Sequence, residues 1–162
     1  MERFTIYNPT RLHFGAGIID NLGKSIGGYG KKILLLYGKG SVVKFGYYDQ
    51  VIKQLESAGI GVVEYSGIKP NPVIEDVRNA TELGKKEGVE GIVALGGGSV
   101  IDSAKILALS IASGYDGWDI MNHDEKPAAS LRVSCRLTLA ATGPERNGAG
   151  VGQDQKTGER LG

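Results

Sequence analysis

The sequence predicts an α/β fold, a Rossmann-like doubly wound parallel sheet in a single domain. Three observations predict it. Short apolar runs at Ile33–Tyr37 and Gly91–Leu95 stand between charged residues and glycines, as strands buried on both faces do, and Gly61–Tyr65 forms a third strand-like run. Segments with the apolar spacing of helices separate these runs. Strand and helix then alternate at lengths that fit parallel βαβ units. At 162 residues, 41% hydrophobic and 23% charged, the chain has material for one domain with a real core, so residues 1–162 are taken as one unit.

Residues 3–14 alternate loosely around Asn8-Pro9 and predict two short strands joined by a turn. Ile18, Ile19, Leu22 and Ile26 have helical spacing, and Gly27-Gly28 ends that helix. After the strand at 33–37, Tyr48, Val51, Ile52, Leu55 and Ala58 line one face of a helix over about 46–58. Gly59 stops it and a strand follows at 61–65. Asn71 as N-cap and Pro72 at the first helical position start a helix over 72–87, with Glu75 and Asp76 favourable near its positive end. Its buried face is Val73, Val77, Ala80 and Gly84. The strand at 91–95 breaks at Gly96-Gly97-Gly98, and Ser99 begins a helix to about Ser113 that is apolar nearly all round and so predicted to lie deep. Trp118 reads as a packing residue. Arg132 to Leu139 is a further candidate strand, and residues 140–162 offer no core element.

Composition excludes several classes of function. The net charge of +1 gives no electrostatic drive toward nucleic acid or an anionic membrane. One cysteine, Cys135, leaves no internal disulfide and no Cys-rich zinc site. No apolar run approaches the length of a membrane span, and the first residues do not have the pattern of a signal peptide, so the expectation is a cytoplasmic protein. Glycine is 26 of 162 residues, about 16% and more than twice ordinary usage. That excess points to backbone positions where a side chain does not fit.

Those positions carry the chemistry. In Leu95-Gly96-Gly97-Gly98-Ser99-Val100-Ile101-Asp102 a strand runs through glycines into a helix. The first N–H groups of a helix have no partner within it, so a phosphate there accepts hydrogen bonds from them at the positive end of the dipole. Ser99 and Asp102 also satisfy a capping box, with the glycines making only a tight turn. Three glycines where one suffices for a turn favour the phosphate. The motif is neither a P-loop nor a G-x-G-x-x-G fingerprint. Gly38-Lys39-Gly40-Ser41 follows the first strand and falls on the same sheet edge. Two glycine turns at neighbouring strand ends suit one extended ligand such as a dinucleotide, although this second turn alone is an ordinary strand-to-helix connection. Leu137-Thr138-Leu139-Ala140-Ala141-Thr142-Gly143-Pro144-Glu145 is a third, threonine-bearing turn. His13 and His123 lack metal-ligand spacing.

Taken together, these residues resemble the iron-containing (group III) alcohol dehydrogenases, most of all their NADPH-dependent butanol dehydrogenase and aldehyde reductase branch. The likeness rests on Asn8-Pro9-Thr10 with Phe14-Gly15-Ala16-Gly17, on Tyr37-Gly38-Lys39-Gly40-Ser41 with Gly46 and Asp49-Gln50-Val51, and on Ile68-Lys69-Pro70-Asn71-Pro72. It continues in Gly96–Asp102 with Ala104-Lys105, and in Leu137-Thr138-Leu139, Ala141-Thr142-Gly143, Glu145 and Asn147. The chain departs from the family in having Pro144 where a serine is usual and Arg136 where an apolar residue is usual. Gly148-Ala149-Gly150-Val151-Gly152 also scrambles a run that normally begins a strand. Family members are more than twice as long, with a helical second half that carries one Asp and three His as metal ligands.

The resemblance implies the dehydroquinate synthase-like nucleotide-binding half of such an enzyme, with no catalytic residue and no metal site in this chain. The cofactor-binding set it implies is Gly38, Lys39, Gly40, Ser41, Asn71, Gly97, Gly98, Ser99, Asp102, Thr138, Leu139, Thr142 and Asn147. Asp102 is expected to be structural, since its charge repels phosphate at close range. The expected cofactor is NADP(H) ahead of NAD(H), because Gly38 stands where an Asp goes with NAD in this family. Three functions compete: a cofactor-binding module, a weak metal-free reductase acting on a small alcohol or aldehyde, and a self-associating homo-oligomer. No nucleic-acid or membrane partner is expected.

Overall fold

The computed structural model describes Arg3, residues 7–140 and residues 142–162. Four parallel strands form the main sheet: β1 (Lys32–Tyr37), β2 (Gly61–Tyr65), β3 (Gly91–Gly96) and β4 (Arg132–Leu137), in the order β2-β1-β3-β4. The register sets Tyr37 beside Leu95 and Leu95 beside Arg136, so the turns after β1, β3 and β4 emerge side by side. From β1 the chain steps outward to β2, then returns across β1 to β3. The order therefore reverses between β1 and β3, the place where a doubly wound sheet opens a ligand crevice.

Helices α1 (Leu22–Ile26), α2 (Ser41–Lys44) and α3 (Tyr47–Ser57) cover one face, and α4 (Ile74–Glu87), α5 (Gly98–Ser113) and α6 (Gly117–Met121) the other. Alternate residues of β1 divide between the two cores. Ile33 and Leu35 pack with Val51 and Leu55 of α3, while Leu34 and Leu36 pack with Val77 of α4 and Leu107 of α5. All four β1 residues are fully buried, as the continuous apolar run requires. The approach of α4 to α5 depends on Gly84, where a β-carbon would stand 2.6 Å from Ile111 Cδ1. Trp118 is buried in the same layer.

Four expectations are corrected. Residues 7–14 form no strand; the part of that expectation on residues 4–6 lies outside the described residues. Asn71 does not cap a helix: α4 begins at Ile74 with extended Val73 before it, and Asn71 itself is left-handed at φ 56°. Pro72 is therefore not the first helical residue, and Asn71 supplies the turn that its residue type tolerates. Gly97, not Ser99, precedes α5, with no side-chain cap, so the capping box does not form. Residues 150–162 contribute to the fold after all. β5 (Gly152–Gln153) and β6 (Arg160–Leu161) pair antiparallel, and Gln153 N–H donates to Pro72 O at 2.8 Å. Gly152 lets this hairpin press on Met121, whose Sδ would lie 2.6 Å from an added β-carbon.

Candidate functional site

The carboxyl ends of the strands are stitched together by their own loops. Gly67 N–H donates to Gly38 O at 3.2 Å and Ile68 N–H to Tyr37 O at 3.3 Å, which lays the loop after β2 against the turn after β1. The same loop reaches the turn after β3, where Asn71 N–H donates to Ser99 Oγ at 3.2 Å. Thr138 N–H donates to Gly96 O at 3.0 Å and brings in the turn after β4. Gly38, Asn71, Gly97, Gly98, Ser99 and Thr138 are thus gathered on one edge.

The three glycines of the β3 turn differ in what holds them. At Gly96 a β-carbon would meet Val100 Cγ2 at 2.6 Å, so this glycine serves packing. At Gly97 an added β-carbon meets nothing within 4 Å, and φ is −91°, a value open to any residue. At Gly98 only Pro144 Cγ is near, at an ordinary 3.6 Å. Neither packing nor backbone conformation demands glycine at 97 or 98. The free space stands over the first turn of a sixteen-residue helix, where N–H groups lack partners. Such a cradle fits a phosphate whose oxygens approach the backbone closely.

The β1 turn is similarly open. Gly40 has nothing within 4 Å of a β-carbon position, and Lys39 and Ser41 are exposed. Ser41 and Thr138 line a common pocket of ≈ 140 Å³ with Val42, Phe45 and Tyr47. Its aromatic walls and two hydroxyls suit a flat heterocycle carrying polar edges.

Two other expected residues are tied to Lys105. Asn147 Oδ1 accepts from Lys105 Nζ at 2.8 Å, and Asp102 pairs with the same ammonium at 3.7 Å. Burial raises the pKa of Asp102, while Lys105 and the Val151 N–H pull it back. Leu139 is 69% exposed and Thr142 is exposed; Ala141 between the two turns lies outside the described residues. His13 and His123 are both exposed. Among the described residues no three His, Cys, Asp or Glu side chains group to hold a metal ion, and no helix is long and apolar enough to cross a membrane.

One cluster gave no signal in the sequence. Tyr37 and Tyr48 both donate to the carboxylate of Glu64, at 2.8 and 2.9 Å. Burial and this shared carboxylate push the Tyr48 phenol up to about 12. The pairing depends on β1–β2 register and on α3, which no local motif encodes.

The sequence profile of the iron-containing alcohol dehydrogenases matches residues 9–162. The chain belongs to that family. Among relatives of this dehydrogenase-family chain, one named probable NADH-dependent butanol dehydrogenase 1, from Bacillus subtilis, is 41% identical over 162 residues, all of this chain and 42% of its own length. The NADPH-dependent aldehyde reductase YqhD of Escherichia coli is 38% identical over 163 residues, 99% of this chain and 41% of its own. The crystal structure of NADH-dependent butanol dehydrogenase A from Thermotoga maritima superposes with a TM-score of 0.96 at 44% identity, covering 99% of this chain and 41% of that one. The chain thus spans about two fifths of the length of these relatives. The family sheet, with its helices on both faces, is the architecture described above.

Proposed function

We propose that residues 1–162 form the nicotinamide dinucleotide-binding domain of an iron-type alcohol dehydrogenase or aldehyde reductase. The complete enzyme would transfer hydride between NADP(H) and a primary alcohol or small aldehyde in the cytoplasm. The observation that carries this reading is the open cradle at Gly97 and Gly98 above the start of α5. Backbone N–H groups of Gly97, Gly98 and Ser99 would hold the pyrophosphate. Gly38, Lys39, Gly40 and Ser41 would receive the adenosine ribose, with Asn71 bracing the two turns. Thr138, Leu139, Thr142 and Asn147 would flank the remainder, and Asp102 would act from behind through Lys105. When bound, the nicotinamide supplies the hydride chemistry; the protein's part is to bind and orient it.

NADP(H) is placed ahead of NAD(H) on the absence of a carboxylate at Gly38. An acidic residue beside the ribose accepts from its hydroxyls and repels a 2′-phosphate. The relatives' names include both cofactors, so this preference rests on the turn. Titrating the protein with NADPH and with NADH, followed by nicotinamide fluorescence, tests the reading. Saturable binding that Gly98→Val abolishes without unfolding the chain is expected. Failure of the unaltered chain to bind either nucleotide would sink it.

A second reading, self-association, is favoured by the segment before α1, where Tyr7 is 84%, Leu12 59% and Phe14 93% exposed. Light scattering at rising concentration tests it: a mass that stays at one chain, 17.1 kDa, rules it out.

A further inference from the structure

The geometry points to Arg136 as a specificity-determining residue, the cation that recognises the phosphate on the adenosine ribose of NADP(H). The inference rests on the dinucleotide reading above and names a residue outside the set that reading uses. Arg136 sits in β4 opposite Leu95, one register step before the glycine turn of β3. Its guanidinium carbon lies 5.0 Å from the ring centroid of Tyr47, and Nη1 donates to Leu137 O at 2.7 Å. Tyr47 is a wall of the ≈ 140 Å³ pocket, and Leu137 directly precedes Thr138, which is another. The cation therefore stands beside that pocket, held flat by a tyrosine and one carbonyl.

Three features separate this arginine from a packing residue. First, a guanidinium has five N–H donors, and the structure gives Arg136 one acceptor, a neutral carbonyl. Among the described residues it has no ion pair, although it is half-buried. Second, none of the five residues lining the pocket is acidic, while Lys39 and Lys44 lie on the turn and helix that form its other side. The carboxylate of Glu64 is held by two phenols and so is already engaged. Third, the same strand carries an internal comparison. Arg132 also stacks on a tyrosine, with its guanidinium 5.8 Å from the ring of Tyr29, and donates to Gly28 O at 3.1 Å. Arg132 is at the opposite end of β4, far from the glycine turns. Stacking explains both arginines, but only Arg136 is placed where a phosphate would complete its hydrogen bonds. A planar fork of donors suits a phosphate better than a single ammonium does.

The test is the affinity of the unaltered chain and of Arg136→Leu, Arg136→Met and Arg132→Leu for NADPH and for NADH, with melting temperatures measured alongside. Arg136→Met keeps an unbranched apolar side chain beside Tyr47 while removing the guanidinium with its charge and its donors, so it decides the question if Arg136→Leu does not fold. Expected is at least a tenfold loss of NADPH affinity in the Arg136 variants, with NADH within twofold of the unaltered chain and Arg132→Leu unchanged for both. The NADPH advantage should also shrink as salt is raised. An unchanged NADPH-to-NADH ratio in a folded Arg136 variant, whether both affinities hold or both fall, overturns the inference and leaves the dinucleotide reading standing. If the unaltered chain binds neither nucleotide, the dinucleotide reading itself has failed and this inference with it.

Discussion

Ser99 Oγ accepts a hydrogen bond from the backbone N–H of Asn71 at 3.2 Å, which fastens the loop after β2 to the first turn of α5. The hydroxyl keeps its own proton free to donate outward, so one side chain braces the turn and offers a donor to a ligand. Ser99→Ala removes both. Because Asn71 is exposed, its N–H finds water, and the stability cost should be about 0.5–1.5 kcal/mol. NADPH affinity should fall several-fold at the same time. Thermal melting and a fluorescence titration of one sample measure the two effects together.

The glycines of the β3 turn should respond differently to the same added methyl group. Gly96→Ala forces a β-carbon to 2.6 Å from Val100 Cγ2 and should cost about 1–3 kcal/mol, as overpacking does. Gly97→Ala meets nothing and should leave stability within about 0.5 kcal/mol, yet it fills the cradle and should weaken dinucleotide binding strongly. Urea unfolding and titration of both variants decide. Equal stability losses would show that the turn is glycine-rich for packing alone.

The legible part of this fold was its buried periodicity. Ile33–Leu36 and Ile92–Leu95 are each buried on both sides, so local apolar content alone located β1 and β3. The turn after β3 was legible as a break between strand and helix, and at Gly96 the glycine is required because a β-carbon would meet Val100. What lies at a distance in sequence was not legible. Asn71-Pro72 satisfies the local rules for a helix start, but Asn71 is instead left-handed and donates its N–H to Ser99, and Gln153 takes Pro72 O. Tertiary bonds from residues 28 and 81 positions away override the local signal. Residues 152–161 pair as a hairpin only because Gly152 lets them dock on Met121 and Ile106. No periodicity within the segment reports that contact.

Acidification should loosen α6. Asp116 accepts from Arg78 through both oxygens, at 2.7 and 2.9 Å, and from Trp118 N–H at the start of that helix. The guanidinium hydrogen bond holds the carboxyl below the usual carboxylate range. The unfolded carboxyl titrates near about 3.9. A depressed folded value means the stabilisation is complete above that pH and is lost as pH falls through the folded value. Asp116→Ala should cost about 1–2 kcal/mol at neutral pH, at the low end because both groups are partly exposed. Asp116→Asn should flatten the fall in urea midpoint below about pH 4. A slope identical to that of the unaltered chain would show that other carboxylates carry it.

Cys135 should be inert in the folded protein. Its thiol faces the α5 side of the sheet, and burial pushes its pKa up to about 11. Thiolate is the reactive form, so it is scarce at pH 7. A thiol reagent should react at least tenfold more slowly with the native chain at pH 7 than with the chain in denaturant. Equal rates would mean that β4 opens readily.

The proposed preference for NADP(H) should reverse on one substitution at Gly38. A β-carbon on Gly38 would lie 3.6 Å from Ile68 O and 3.8 Å from Val100 Cγ2, both ordinary contacts, and no left-handed backbone excludes a side chain there. Gly38→Asp should therefore fold, and its thermal melt should confirm that. The new carboxylate would follow directly after β1, at the switch point of the sheet, where it could accept from ribose hydroxyls. Its charge would repel a 2′-phosphate and offset that of Lys39, its neighbour in sequence. NADPH affinity should fall at least tenfold while NADH affinity holds or improves. Paired titrations at two ionic strengths check the cause, because electrostatic discrimination weakens as salt screens it. If NADH and NADPH lose affinity equally, the substitution has blocked a part of the site other than the ribose, and the Gly38–Ser41 turn does not set the preference.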